Sequence, residues 1–122
     1  MLQPGSYLQL ADNSGAHQLM ILSIPTEWKK KYAYLGDIIS CVVKGADPAG
    51  VVTDEAKVQA VIVRTKKEHR RVDGSYIRFD DNAAVVVNKQ NEPVGTRVLG
   101  PVAREVKERG FNKVASLAKE VW

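Results

Sequence analysis

Apolar segments rich in β-branched residues constrain the fold more than any other feature of the sequence. They are IISCVVK (38–44), KVQAVIVRT (57–65) and NAAVVV (82–87). Each has the length of a β-strand, and Val and Ile favour the extended backbone of a half-buried or fully buried strand. Several such strands must cover one another's apolar faces, which predicts a mainly β protein.

The N-terminal residues predict two further strands. The segment YLQLADNSGAHQLMILSI (7–24) has apolar stretches on either side of DNSG, a sequence that tolerates turn geometry. Leu8 and Leu10 fall on one face of the first strand. Pro25 ends the second strand, because proline cannot donate to a ladder of hydrogen bonds.

A basic hairpin is predicted in the middle of the chain. SYIRF (75–79) is expected to pair with the strand at 57–65 across Asp73-Gly74, a dipeptide typical of hairpin turns. The residues between the two strands are mostly Lys and Arg. A hairpin of this kind would hold a charged tip away from the body of the protein.

The C-terminal residues predict short helices. Pro101 stands where a helix could begin, Gly110 is placed to stop it, and a last helix is expected to start near Ser116. Strands followed by helices indicate a small β-barrel or curled sheet with a helical part over about 101–122.

Length and cysteine content restrict the class of protein. A chain of 122 residues predicts one domain over 1–122, and a lone cysteine, Cys41, allows no internal disulfide. Reducing conditions, and hence a cytoplasmic location, are the expectation. We expect no signal peptide and no membrane span. Cys41 lies within an apolar segment and is predicted to be a buried, unreactive thiol.

Residues for catalysis or metal binding are not grouped in the sequence. His17 and His69 lie far apart, without Cys or carboxylate companions at ligand spacing. Asp80 and Asp81 are interpreted as structural acids of a loop, since a pair of catalytic carboxylates would need a cleft and a partner with a raised pKa. The sequence therefore predicts no enzyme, no metal site and no cofactor.

The basic residues are clustered, although the formal net charge is only +4. Clustered cations beside aromatic rings suit phosphate contacts and stacking on RNA bases, and acids are scarce within 64–71. The alternative is a solvated hairpin that keeps a sheet edge soluble. Trp28 and Tyr32 could stack or belong to the core. The predicted RNA contacts are Lys29, Lys30, Lys31, Tyr32, Arg64, Lys66, Lys67, Arg70, Arg71 and Arg78.

One long segment resembles the signature of a known family. AVIVRTKKEHRRVDGSYIRFDDNAAVV (60–86) is similar to that of the universal large-subunit ribosomal protein fourteen family: a small residue and three aliphatics, then Asp-Gly, an aromatic, Asn and paired aliphatics. The segments QPGSYLQLADNSGA (3–16), KYAYLGD (31–37), GTRVLGPVARE (95–105) and FNKVASLAKEV (111–121) extend the resemblance over nearly the whole chain.

The resemblance implies a fold and a function. The family fold is a five-stranded β-barrel with a projecting β-ribbon and short C-terminal helices. It implies binding to large-subunit rRNA, contacts with neighbouring large-subunit proteins, and an intersubunit bridge to small-subunit rRNA. It also implies a ribosomal location, in the cytoplasm or in an organelle, and a docking surface for the ribosomal silencing factor. The positions that correspond to that surface are Thr96, Arg97 and Lys113.

The chain departs from the family pattern in a few places. His17 stands where the family usually carries Arg, Lys119 where Pro is usual, and Trp122 where a smaller apolar residue is common. The first of these puts one RNA contact in doubt. The alternative function is a freestanding small-barrel factor that binds single-stranded RNA, which would stay off the ribosome in a sedimentation experiment.

Overall fold

The structure is a computed structural model that describes residues 2–24, 32–50 and 52–122. These residues contain strands and two short helices in the order that the sequence predicts, with the helices last. The elements are β1 (Tyr7–Leu10), β2 (Ala16–Ser23), β3 (Ile38–Ala46), β4 (Lys57–Arg64), β5 (His69–Arg70), β6 (Tyr76–Ile77), β7 (Ala83–Val87), α1 (Arg104–Glu108) and α2 (Asn112–Leu117).

The strands β1, β2, β3, β4 and β7 form a closed barrel in that order. Neighbouring strands are antiparallel, except that β1 and β7 close the barrel as a parallel pair, with Gln9 opposite Ala83. Closure leaves no free edge in the barrel. The predicted five-stranded barrel with short C-terminal helices is confirmed.

Burial on both faces explains the continuous apolar segment of β4. Ala60 and Ile62 point into the barrel and belong to its core. Val61 and Val63 point outward and belong to a second core, which includes Val106 of α1. Since successive side chains of a strand point to opposite faces, a strand covered on both sides must be apolar at every position.

The strand β7 is covered in the same way. Ala84 and Val86 face the barrel interior, while Val85 packs outward with Phe111 and Val114 of the C-terminal helices. One face of β4 and of β7 therefore lines the barrel interior, and the other face packs against the C-terminal helices. Cys41 of β3 lies in the barrel core, and burial raises the pKa of its thiol to about 12.

The predicted pairing of 57–65 with 75–79 was wrong except at its end, where the amide of Phe79 donates to the carbonyl of Thr65 at 2.9 Å. Both edges of β4 are occupied in the barrel, by β3 and β7, so the basic hairpin has to pair with itself. It forms a separate two-stranded sheet in which β5 pairs with β6. The turn at Asp73-Gly74 is as expected, with Gly74 at a φ of +90°. We call residues 66–79 the ribbon.

Both helices begin at other residues than the sequence predicts. Helix α1 begins at Arg104 rather than at Pro101, and the residue before it, Ala103, is extended. The backbone amide of Ala103 donates to the carbonyl of Val63. Gly110 follows α1 with a φ of +96°, in agreement with its predicted role. Ser116 lies in the last turn of α2 rather than in a first turn. No helix in the described ranges is long and apolar enough to cross a membrane.

The turn between β1 and β2 is tied to β7, the strand that closes the barrel against β1. One carboxylate oxygen of Asp12 accepts from the amide and hydroxyl of Ser14, and the other accepts from the amide of Val86 at 3.0 Å. Asp12 is buried, and this burial raises the pKa of its carboxyl while the three hydrogen bonds oppose that rise. The predicted DNSG turn is thus also a closing contact between β1 and β7.

Candidate nucleic-acid interface

The first predicted basic cluster can be placed only in part. Lys29, Lys30 and Lys31, together with Trp28, lie outside the described residues. Tyr32 is described and 39% exposed, which is compatible with stacking on a partner. It precedes the turn that leads into β3.

Arg64 lies inside the protein rather than on the basic surface predicted for it. It is only 8% exposed, and its guanidinium donates to both carboxylate oxygens of Asp81, at 2.9 and 3.3 Å. The third guanidinium nitrogen, Nη1, donates to the carbonyls of Leu99, at 2.7 Å, and Pro101, at 3.1 Å. Gly100 permits this approach, because a Cβ there would collide with the guanidinium. Arg64 thus joins β4 to the segment before α1.

One face of the ribbon is held by a carboxylate of α1. Arg71 donates to Glu105 through Nη2 at 2.9 Å and Nε at 3.3 Å, and His69 Nε2 lies 3.2 Å from the same carboxylate. The Glu105 side chain is 13% exposed. Ile77, opposite His69 in the ribbon, packs against the barrel core. We call this the inner face of the ribbon.

The opposite face of the ribbon is exposed and cationic. Arg70 lies between His69 and Arg71, so the alternation of a strand places its side chain on the other side. Tyr76 is its cross-strand partner, and such partners share a face. Tyr76 is 64% exposed, and Arg78 two residues further on is exposed as well. We call Arg70, Tyr76 and Arg78 the outer face.

Tyr76 was missed in the sequence. The segment SYIRF places it two residues before Arg78, which is the spacing of one strand face, and this signal was available. The sequence did not indicate that Tyr76 pairs with Arg70, because the predicted partner strand was 57–65 rather than β5. An exposed ring beside exposed guanidinium groups offers both stacking and phosphate contacts.

Two lysines lie at the base of the ribbon. Lys67 Nζ is 3.0 Å from Glu68, and both side chains are largely exposed. The pKa of Glu68 is lowered, mainly by a hydrogen bond from the backbone amide of Glu68 itself and then by the neighbouring Lys67. The backbone amide of Lys66 donates to the side chain of Asn82, and Lys66 is exposed.

Acids are scarce within 64–71, but acids from elsewhere in the chain pair with two of its arginines. Asp81 and Glu105, which are distant in sequence, are brought to Arg64 and Arg71 by the fold. Within the ranges that the structure describes, ion pairs involve neither Lys66 nor the two arginines of the outer face. The fold thus separates the basic residues into internally paired and solvent-facing sets.

The second predicted surface is organised by Asn13. Its side-chain oxygen accepts from the backbone amides of Thr96, at 2.8 Å, and Arg97, at 3.0 Å. Its side-chain nitrogen donates to the Thr96 hydroxyl at 2.8 Å. Gly95 is packed so close to Asn13 that a Cβ would lie 2.6 Å from the amide oxygen. Thr96 and Arg97 are exposed on a turn that these three hydrogen bonds join to Asn13.

Lys113 lies beside the same loop. It precedes the helix start predicted near Ser116 but belongs to α2, and its Nζ is 2.6 Å from Glu92. Glu92 precedes Thr96 by four residues. We call Thr96, Arg97 and Lys113 the partner surface.

The remaining predicted groups do not form a metal centre. His17 Nε2 lies 2.8 Å from Asp47 on the surface. Across residues 2–24, 32–50 and 52–122, the structure contains no group of three or more His, Cys, Asp or Glu residues that could hold a metal ion. Asp81 has the structural role predicted for it, through its contact with Arg64.

Comparison with known proteins gives a consistent result over the whole chain. The family model described as "Ribosomal protein L14p/L23e" matches residues 1–122. Among curated proteins, the chain is 54% identical over 121 residues to the "Large ribosomal subunit protein uL14" of Aquifex aeolicus, strain VF5. That match covers 99% of this chain and 99% of the relative.

Proposed function

Because the chain belongs to the ribosomal protein L14p/L23e family, we propose that it is a structural component of the large ribosomal subunit. In this role it binds large-subunit rRNA and contributes to an intersubunit bridge with small-subunit rRNA. The full-length match to a relative named as a large-subunit protein supports the ribosomal assignment. The proposed role is structural rather than catalytic, and the proposed location is the ribosome.

The single observation that carries RNA binding is the outer face of the ribbon. Arg70 and Arg78 face solvent around Tyr76, whereas Arg71 of the inner face is already paired with Glu105. Unpaired guanidinium groups favour phosphate, because each contact releases condensed counterions from the nucleic acid. The outer face belongs to a two-stranded ribbon rather than to a helix that could enter a groove, so contacts to backbone and shape fit better than reading of bases.

Further RNA contacts are proposed at the lysines. Lys66 and Lys67 extend the ribbon surface towards the barrel, and Lys29, Lys30 and Lys31 would add a second cluster before Tyr32. Arg64 is left out of the proposed contacts because its donors are used within the protein. Arg71 contributes mainly through its contact with Glu105.

The partner surface is proposed to serve subunit joining, neighbouring large-subunit proteins and a silencing factor. Thr96 and Arg97 present a hydroxyl and a guanidinium on a turn that Asn13 holds rigid. Lys113 adds a cation on α2, restrained by Glu92. Directional donors in fixed positions suit recognition of a carboxylate or phosphate on a partner.

Sedimentation of cell extract tests the ribosomal assignment. We expect the protein to migrate with large subunits on a sucrose gradient and to stay with them after a moderate salt wash. A variant with Arg70→Glu and Arg78→Glu should be depleted from that fraction while remaining folded. Migration of the wild-type protein at the top of the gradient would instead support a freestanding RNA-binding factor.

A second variant tests the partner surface. Arg97→Ala with Lys113→Ala should incorporate into large subunits nearly as well as the wild type, because the ribbon is untouched. Joining of purified subunits, measured by the yield of complete ribosomes on a gradient, should fall. If this variant fails to enter large subunits although it is folded, the roles of the two surfaces have been assigned the wrong way round.

A further inference from the structure

The carboxylate of Glu105 is the point where the ribbon is fastened to the rest of the protein. Two ribbon side chains, Arg71 and His69, converge on it from the inner face. The bond to Arg71 uses both oxygens, a two-pronged geometry that fixes direction as well as distance. Only 13% of the Glu105 side chain is exposed, so solvent screens this contact less than it screens a surface pair.

The ribbon has few other means of holding its orientation. Its sheet consists of two residues in each strand, and a two-stranded sheet is marginal on its own. Ile77 and Phe79 reach the barrel core near its base, but both are only partly buried. The tip at Val72 is fully exposed, and nothing lies within 4 Å of the position of a Cβ on Gly74.

The same helix also holds the loop that leads into β3. Arg109, which caps α1, donates to the buried carboxylate of Asp37 at 3.3 Å. Gly36 lies so close that a Cβ there would be 3.0 Å from the carbonyl oxygen of Glu105. The helix α1 therefore contacts both the ribbon and the chain that follows the first lysine cluster.

We infer that Glu105 is a positioning residue for an RNA-binding surface formed by Arg70, Tyr76 and Arg78. Its carboxylate holds the inner face against α1, so that the outer face presents two guanidinium groups to phosphates and the Tyr76 ring to an unstacked base. This inference rests on the proposed function and adds to it the residues of one subsite and the group that orients them.

The sign of the effect distinguishes positioning from simple electrostatics. Glu105→Gln removes one negative charge and raises the formal net charge above its value of +4. If Glu105 acted only through its charge, the variant would bind RNA more tightly. If it positions the ribbon, the variant spends part of its time in orientations that cannot bind, and its apparent affinity falls in proportion to that fraction.

The experiment compares Glu105→Gln with Glu108→Gln, an exposed acid of the same helix and a matched change of charge. Binding to a large-subunit rRNA fragment is measured for both and for the wild type under conditions where all are folded. We expect Glu105→Gln to bind about threefold or more weakly than the wild type, and Glu108→Gln to bind equally or more tightly. Equal or tighter binding by both variants overturns the inference.

Hydrogen exchange supplies a readout that does not depend on RNA. In the wild type, the amide of Arg71 donates to Ser75 and the amide of Gly74 donates to Arg71. We expect both amides to exchange faster in Glu105→Gln and to be unchanged in Glu108→Gln. Unchanged exchange in both variants would mean that Glu105 does not order the ribbon, and would overturn the inference.

Two further results keep the inference separable from the proposed function and from misfolding. Failure of the wild type to bind the rRNA fragment would refute the proposed function, and with it the RNA subsite. If Glu105→Gln is too unstable to study, Glu105→Asp keeps the net charge and shortens the reach. It should still bind more weakly than the wild type, and equal affinity would overturn the inference.

Discussion

At the scale of single residues, Arg64 and Arg70 show how one basic segment serves two purposes. The guanidinium of Arg64 donates to Asp81 and to two backbone carbonyls, whereas Arg70 faces solvent on the outer face of the ribbon. Six positions separate them in the sequence. Residue type alone could not distinguish them, since the acid that pairs with Arg64 is 17 residues away.

Loss of the Arg64 side chain should weaken the fold. Arg64→Ala leaves Asp81 and the carbonyl of Leu99 without their donor, and we expect the free energy of unfolding to fall by about 2–3 kcal/mol, since Asp81 is partly exposed. The matched control is Arg78→Ala at an exposed position, which should change stability by no more than about 0.5 kcal/mol. Urea denaturation measures both, and equal effects would contradict the internal role of Arg64.

Asp12 should make stability depend on pH in a particular direction. Burial raises the pKa of its carboxyl in the folded protein, so the folded state holds the proton more firmly than the unfolded chain does. The stabilisation that comes from holding this proton is complete below the pKa of Asp in the unfolded chain, about 4. It is lost as the pH rises through the higher pKa of Asp12 in the folded protein. As the pH rises, the free energy of unfolding of the wild type should therefore fall relative to that of Asp12→Asn.

Urea denaturation of both proteins from about pH 3.5 to about pH 7 covers the titration of an Asp carboxyl. The difference in unfolding free energy between wild type and Asp12→Asn is the quantity to plot, because other titrating groups cancel. If that difference increases with pH, the hydrogen bonds from Ser14 and Val86 outweigh burial.

At the scale of elements, the ribbon is a charged surface whose two faces have different partners. If the outer face and the lysine clusters neutralise about six phosphates, the logarithm of RNA affinity should fall with the logarithm of salt at a slope of about −4 to −5. Arg70→Ala with Arg78→Ala should make that slope shallower by roughly one for each phosphate that the variant no longer neutralises.

Filter binding or fluorescence anisotropy between low and moderate salt measures that slope for a large-subunit rRNA fragment. Arg97→Ala with Lys113→Ala removes two cations elsewhere and serves as the control, with an unchanged slope expected. A nearly flat dependence for the wild type would mean that the ribbon is only a solvated edge.

The elements also show why sequence patterns predicted the barrel strands better than the ribbon. The periodicity of β3, β4 and β7 is set by burial, which the sequence records directly in its apolar segments. The partner of β6 depends instead on the fact that β3 and β7 already occupy both edges of β4. That information belongs to the closed barrel and not to any local segment.

The helix boundaries have a similar explanation. Capping signals at Pro101 and Ser116 suggested starts for both helices, but the apolar residues Val106, Phe111 and Val114 decide which turns can pack on the sheet. Packing shifted α1 and α2 accordingly. In the candidate interface, the density of basic residues predicted the ribbon. The sequence could not predict that Arg71 pairs with Glu105, because the two residues lie 34 positions apart.

At the scale of the whole molecule, the barrel and the helices should unfold as one unit, as expected for a single domain. The second core joins β4 and β7 to α1 and α2, so neither layer can separate without exposing apolar surface on both. Phe111→Ala should lower the free energy of unfolding by about 3–5 kcal/mol. The partly exposed Leu117 provides a control, and Leu117→Ala should cost no more than about 1 kcal/mol.

Far-UV circular dichroism and tryptophan fluorescence, followed in the same urea titration, test this cooperativity. Coincident transitions are expected for the wild type and for both variants. An early, separate loss of helical signal in Phe111→Ala would show that the helices form a unit apart from the barrel.

The closing contact between Asp12 and Val86 has a consequence for the nascent chain. The two residues are 74 positions apart, so the first strands emerge during synthesis well before the strand that completes the barrel. At ordinary elongation rates this delay is about 4–15 s. Until β7 has been made, β1 and β4 each lack the neighbour that closes the barrel. Newly made chains would thus pass through an interval in which pairing with other strands competes with closure. The C-terminal helices are translated last, and they cover β4 and β7 only after that interval has ended.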